Sequence, residues 1–252
     1  MKTVLVFSYP LNSQREFELN ARRWVETLLK HNPGASYQVM VCLVDGTPTD
    51  ADRAIFRDVQ PKFVTFPNPG LDIDAYLKAS AICDADFAVF CNTRIHFWKE
   101  GWLARFIEAR KQHGPKGLYG ASASYQIPSR PWTTPPVWPN PHIRTACIAT
   151  DPKILRRYPF SINSRNDAFR AESGQWNLGQ WYEDHGWPVR MITWDGVWSK
   201  QDWRKPKNIF RRGDQSNCLV RDRHLDIYSA CTDPKEKRNL EVLAGLETVM
   251  LK

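Results

Sequence analysis

The stretch Cys83-Asp-Ala-Asp-Phe-Ala-Val-Phe-Cys-Asn-Thr-Arg-Ile-His-Phe-Trp-Lys-Glu-Gly-Trp102 decides the fold. Its apolar run, Phe87 to Cys91, is too short for a buried helix and is rich in β-branched and aromatic types. It therefore reads as a central strand covered on both faces. In open α/β sheets a ligand lies beyond the carboxyl ends of such strands, which puts Asn92, Thr93 and Arg94 where a small molecule binds. A strand that simply stops in a polar turn gives the same pattern.

Upstream, residues 2 to 7 form a strand that breaks at Ser8-Tyr-Pro-Leu-Asn12. From Ser13, Phe17, Ala21, Trp24 and Leu28 recur at helical spacing, and a second strand, Tyr37 to Val44, runs into Asp45-Gly46. A strand-helix-strand unit predicts a parallel sheet with right-handed crossovers, so the two strand ends share one edge and make a nucleotide-sized crevice. Lys62 to Phe66 is a third strand, and Asp72 is placed to cap the helix carrying Ile73, Tyr76, Leu77 and Ile82. Downstream come a helix from Trp102, a strand over Leu118 to Ser124, and a segment from 128 to 141 holding six prolines, read as a loop or lid. Periodic structure resumes as a run from His142 to Ala149, a short helix at Asp151-Pro152, a helix carrying Trp176 to Tyr182, a strand Val189 to Trp194, and a final helix from Asn239 to Leu251. The expectation is a single domain over 1-252, with a first half (1-125) and a second half (126-252).

At 252 residues the chain can bury a sizeable core. A formal charge of +8 and a pI near 9.2 favour an anionic partner: a nucleotide, a nucleic acid or an anionic membrane surface. No apolar run approaches a membrane span and the first residues read as a strand, so a cytoplasmic protein is expected. The six cysteines are scattered, suggesting neither a zinc knuckle nor a disulfide framework.

The order of a parallel-sheet half, a polar strand tip, a Gly-Trp-Leu helix, His142-Ile-Arg-Thr145, Phe169-Arg-Ala-Glu-Ser-Gly174 and then Asp195-Gly196 resembles the GT-A-fold nucleotide-sugar-dependent glycosyltransferases. The resemblance spans roughly residues 2 to 225 through short motifs. It implies an α/β, Rossmann-like and mostly parallel sheet with a C-terminal acceptor-side extension. It also implies transfer of a sugar from a nucleotide-sugar, expected to be a UDP-sugar, to a hydroxyl. By the same resemblance Ser8 and Tyr9 contact the nucleotide, with Tyr9 stacking on the base, and Asp45 accepts a hydrogen bond from base or ribose. Family members hold a divalent cation (Mn or Mg) on an Asp-x-Asp motif at the central strand tip. Here Asn92-Thr93-Arg94 replaces it, so either the metal is held elsewhere or Arg94 meets the diphosphate directly.

A base is needed for the acceptor hydroxyl, and the resemblance points first to Glu172, just ahead of a helix, and second to Asp167; a helix cap or an ion pair with Arg165 or Arg170 is the plain alternative for each. Arg144 sits inside an apolar run, where a charge needs a partner: a phosphate, the catalytic carboxylate, or water at an edge strand. Asp195 ends a strand and either touches donor or acceptor or makes a turn, and His142 is a metal ligand or structural. From Lys200 to Arg223 eight Lys or Arg face three Asp, a balance of +5, with aromatics interspersed. Trp176, Lys205, Arg211 and Arg212 are accordingly expected at the acceptor. Basic and aromatic side chains together suit nucleic acid, which admits a hydroxymethylated pyrimidine in DNA as acceptor. A polysaccharide or glycolipid at an anionic membrane surface, a non-catalytic nucleic-acid-binding module, and a merely solvated charged face remain open.

Overall fold

A computed structural model describes residues 1–11, 15–67, 70–127, 136–137 and 139–244. The described elements are, in order, β1 Thr3–Pro10, α1 Arg15–Lys30, β2 Gln38–Val44, α2 Asp50–Ile55, β3 Lys62–Phe66, α3 Leu71–Ile82, β4 Phe87–Cys91, α4 Trp102–His113, β5 Leu118–Gly120 and β6 Ala123–Ser124. They continue with β7 His142–Ile143, β8 Cys147–Thr150, α5 Pro152–Leu155, α6 Arg165–Ser173, α7 Leu178–Asp184, β9 Val189–Ile192, β10 Val197–Trp198, α8 Arg223–Ala230 and α9 Pro234–Leu243.

Eight strands form one sheet in the order β10-β9-β5-β8-β4-β1-β2-β3. β1 to β4, β5 and β9 all point one way, and β8 and β10 run against them. This is the α/β, Rossmann-like, mostly parallel sheet that the sequence predicts, with antiparallel β8 inserted between β4 and β5. Side chains alternate along each strand as the pleat requires. Leu5, Phe7 and Val89 pack with Trp24, Leu28, Trp102 and Phe106 of α1 and α4 on one face. Val4, Val6, Ala88 and Phe90 pack with Ile73, Tyr76 and Ala79 of α3 on the other. Every residue of β4 is buried, as the unbroken apolar run requires.

The structure corrects several boundaries, and each correction bears on the site. β1 does not break at Ser8: Ser8, Tyr9 and Pro10 pair with Cys42, Leu43 and Val44 of β2 and extend it. The run from 142 to 149 is two strands, because β7 pairs with β6 in a separate small sheet before the chain turns at Arg144-Thr145 into β8. The strand expected over 118 to 124 is split for the same reason into β5 and β6. Asp72 does not cap α3: the residue at that cap is Gly70, which makes no side-chain bond. A Cβ on Gly70 would overlap Ile162, so glycine there lets the second half close on the start of α3. Most of the proline segment (128–135 and 138), Asn12, Ser13 and residues 245–252 of the expected last helix lie outside the described residues. No helix among the described residues is long and apolar enough to cross a membrane.

Candidate functional site

A cavity of about 470 Å³ opens beyond the carboxyl end of β4. Its wall is drawn from Asn92 and Arg94 at the strand tip, Leu71 to Ile73 at the start of α3, Arg144 and Thr145 between β7 and β8, Arg165, Phe169 and Glu172 of α6, and Asp222, Arg223 and His224 at the start of α8. The two halves of the chain thus meet in one chamber, and Asn92, Arg94, Arg144 and Glu172 are brought together as the sequence reading requires. A second cavity, of about 530 Å³, lies at the opposite ends of the strands among Lys2, Val39, Lys62 and Cys83 and holds none of these residues.

Glu172 precedes α7 as expected, but it lies in the last turn of α6, a helix that the sequence reading did not place there. Its Oε1 accepts the backbone N–H and the hydroxyl of Thr145, both at 2.9 Å, so the carboxylate is clamped by the turn that separates β7 from β8. No protein partner holds Oε2 among the hydrogen bonds of the described residues, which leaves that oxygen to act on a ligand. Asp167, by contrast, accepts from Asn163 N and Ser164 Oγ at the start of α6 and pairs with Arg170 at 3.1 Å. It is a first-turn residue of α6 that braces the Ser164 cap, and it does not line the cavity.

Asp72 is the functional candidate that sequence reasoning missed, because an acidic residue at a helix start looks like a cap. Released from capping, its side chain faces the cavity beside Asn92, Arg94 and Glu172. Burial pushes its carboxyl up to about 6, with Glu172 adding to the rise and Arg94 opposing it. Leu71, just before it, holds a left-handed backbone (φ +59°), a strain located at the cavity wall.

At the strand tip, Thr93 is buried and donates to the Ser8 carbonyl at 2.9 Å, tying β4 to β1. Asn92 Oδ1 accepts the Arg94 backbone N–H at 3.0 Å, and Arg94 reaches Glu16 at 3.4 Å while lying over the Phe17 ring. A second cation, Arg223, lies 3.5 Å from the same Glu16 oxygen. This donor set does not fit a divalent cation at the tip: one oxygen is committed to an amide, another to a carbonyl, and a guanidinium stands where a carboxylate would. Among the described residues no group of three or more His, Cys, Asp or Glu is gathered to hold a metal ion.

Arg144 finds its partner within the protein. It forms a 2.6 Å ion pair with Asp222, both side chains being nearly buried, and lies over the Phe210 ring at 4.0 Å. Asp222 also caps α8, accepting from His224 N and Leu225 N. Burial raises its carboxyl, but Arg144, His224 and the cap bonds outweigh that and hold it below the usual carboxylate range. His142 lines the cavity with Nδ1 bonded to the Asn140 carbonyl at 2.9 Å, and burial lowers its ring despite Glu172.

Other expected contacts fall elsewhere. Tyr9 is buried under Phe56 and donates its hydroxyl to Asp52 at 3.0 Å, so it cannot stack on a base. Ser8 is buried in β1, its side chain beside Asp72 behind the cavity wall, and Asp45 (φ +59°) and Asp195 are exposed turn residues outside that wall. Trp176 stacks on Phe160 at 5.0 Å away from the cavity wall. Lys205 pairs with Asp202, Arg212 donates to the Arg204 carbonyl, and Arg211 is buried with one guanidinium N–H on His224. Much of the basic run therefore serves the protein's own contacts rather than a continuous outward face.

No family model matches the chain, and no curated protein does. Among solved structures the chain is similar to CMP:2-keto-3-deoxy-manno-octonic acid synthetase complexed with CTP (13% identity over 76% of this chain and 89% of that one, TM-score 0.45). It is also similar to mouse xyloside xylosyltransferase 1 in its apo form (10% identity, 76% and 85%, TM-score 0.47) and to S. aureus TarS (13% identity, 68% and 33%, TM-score 0.44). These are likenesses of chain path alone.

Proposed function

We propose that this protein is a glycosyltransferase that moves a sugar from a nucleotide-sugar to a hydroxyl acceptor. The reading is carried by one juxtaposition: the polar tip of β4, with Arg94, shares a cavity with a carboxylate from the other half of the chain, Glu172, clamped through one oxygen and open at the other. The acceptor hydroxyl attacks the anomeric carbon as its proton passes to Glu172 Oε2, and the bond to the diphosphate breaks as Arg94, with Arg165 and Arg223 on the same wall, meets the charge released. A single base suits direct displacement with inversion. Asp72 lies on the donor side, where its carboxylate accepts from sugar or ribose hydroxyls. The donor nucleotide is UDP in this reading, and the strand tip works without a divalent cation.

For the acceptor, the net charge of +8 favours an anionic molecule, and a hydroxymethylated pyrimidine in DNA is the first choice over a polysaccharide or glycolipid. Incubation with radiolabelled UDP-, GDP- and CMP-sugars, with and without DNA carrying 5-hydroxymethylcytosine, tests both levels. Donor hydrolysis or transfer supports the transferase; silence with every donor removes it. Label retained on a glycan but not on DNA moves the acceptor to the second choice.

A further inference from the structure

His224 has no assigned task, yet it lines the cavity at the first turn of α8. Its Nδ1 lies 3.1 Å from Arg211 Nη2. A guanidinium only donates, so Nδ1 is the acceptor and the proton of a neutral ring sits on Nε2. Arg211 is only 6% exposed, its backbone is left-handed (φ +52°), and its N–H is bound by the Gln215 side chain. Its Nε and Nη1 are buried without a partner among the described residues, so the bond to His224 is its guanidinium's hydrogen bond there. Protonating Nδ1 would destroy that bond and set two cations in contact.

We propose that Arg211 is a positioning residue that fixes His224 as a neutral, Nε2-protonated imidazole whose remaining N–H is offered to an oxygen of the bound ligand. The ring is faced from four directions: Arg211 from its own loop, Arg144 from the β7–β8 turn, Asp222 at the cap of α8 and Glu172 from α6. Burial first, then Arg144 and Arg211, lower its ring to about 4 against the opposing pull of Asp222 and Glu172. The cavity wall carries Arg94, Arg144, Arg165 and Arg223 against Asp72, Glu172 and Asp222, and Asp222 is engaged by Arg144 and the α8 cap. That excess of guanidinium favours an anionic oxygen, such as a phosphoryl oxygen, as the group His224 meets. The inference depends on the transferase reading only for the name of the ligand; the proton's position does not.

The test is a two-bond ¹H–¹⁵N spectrum of the histidine rings in the full-length protein between roughly pH 5.5 and 8, with His224 assigned by its loss in H224Q. The expected result is an Nε2–H ring that does not titrate in that window. An Nδ1–H ring, or a midpoint inside it, overturns the proposal. In R211M, with the titration of both proteins carried down to about pH 4, the midpoint should rise by about one pH unit or more, and R211K should restore much of the wild-type behaviour. An unchanged ring in folded R211M removes Arg211 from the role, and if R211M does not fold, the wild type and R211K decide. Adding inorganic pyrophosphate should shift the His224 signals, and H224F should weaken pyrophosphate about tenfold while H224Q, which keeps an N–H, should not. Equal binding by H224F overturns the ligand contact. Pyrophosphate binding through His224 with no turnover of any nucleotide-sugar would sink the transferase reading and leave this one standing.

Discussion

Replacing Asp72 by Asn should stabilise the protein, and by an amount that depends on pH. In the folded state burial, aided by Glu172, raises the Asp72 carboxyl from 3.8 to about 6, so ionising it works against folding. For a carboxyl whose folded value is raised, the penalty is absent below the unfolded value, grows as pH climbs between the two values, and is fully present above the folded one. A difference of about two pH units corresponds to roughly 3 kcal/mol at pH 7.5 and about half that at pH 5. Water in the cavity screens part of this, so D72N should gain about 1–3 kcal/mol at pH 7.5, the gain shrinking as pH falls. Urea unfolding of wild type and D72N at three pH values between 5 and 7.5 reads it directly. A variant no more stable at pH 7.5, or one whose gain holds constant with pH, would refute the placement of an ionised Asp72 in the wall.

Glu172→Gln should lower kcat by at least about a hundredfold while leaving donor affinity within a factor of about two, measured by transfer assay and calorimetry; retained turnover would pass the role of base to Asp72. Asp222→Ala should cost about 3–5 kcal/mol in urea unfolding at pH 7, because it strands buried Arg144 and removes the cap of α8 together. Asp222 is held below the usual carboxylate range, so the stability it supplies is present above that range and is lost as pH falls through its depressed folded value. Excess EDTA should leave turnover unchanged; full inhibition would mean that a cation is held away from the strand tip.

The sheet was legible because β4, β1 and β2 are apolar runs of strand length separated by one clear helical stripe, Phe17 to Leu28, and this pattern has one economical solution. What the pattern could not reveal is where a strand changes partners. His142 to Ala149 reads as a continuous run because both sheets it joins are buried, yet the break inside it places Thr145 against Glu172 and frees Arg144 to meet Asp222. Tyr9 misled for a related reason. Period-two alternation places it with Leu5 and Phe7 toward α1, but the preceding apolar run gave no sign that pairing to β2 continues through Pro10.

Charge was the least legible quantity, because composition counts cations without their partners. The run from Lys200 to Arg223 looks like a polyanion-binding face, whereas Lys200 is answered by Glu183, Lys205 by Asp202, Arg221 by Asp226 and Arg223 by Glu16. The exposed members of such pairs contribute little and exchange readily for another anion. Glu16 illustrates the consequence, since one of its oxygens lies within 3.5 Å of nitrogens from both Arg94 and Arg223 at the cavity wall. An incoming diphosphate must compete with that carboxylate, so E16Q should tighten inorganic pyrophosphate by about two- to fivefold and steepen the loss of binding with salt. Isothermal titration at two ionic strengths measures it. Weaker binding in E16Q would mean that Glu16 aligns the two arginines rather than occupying them.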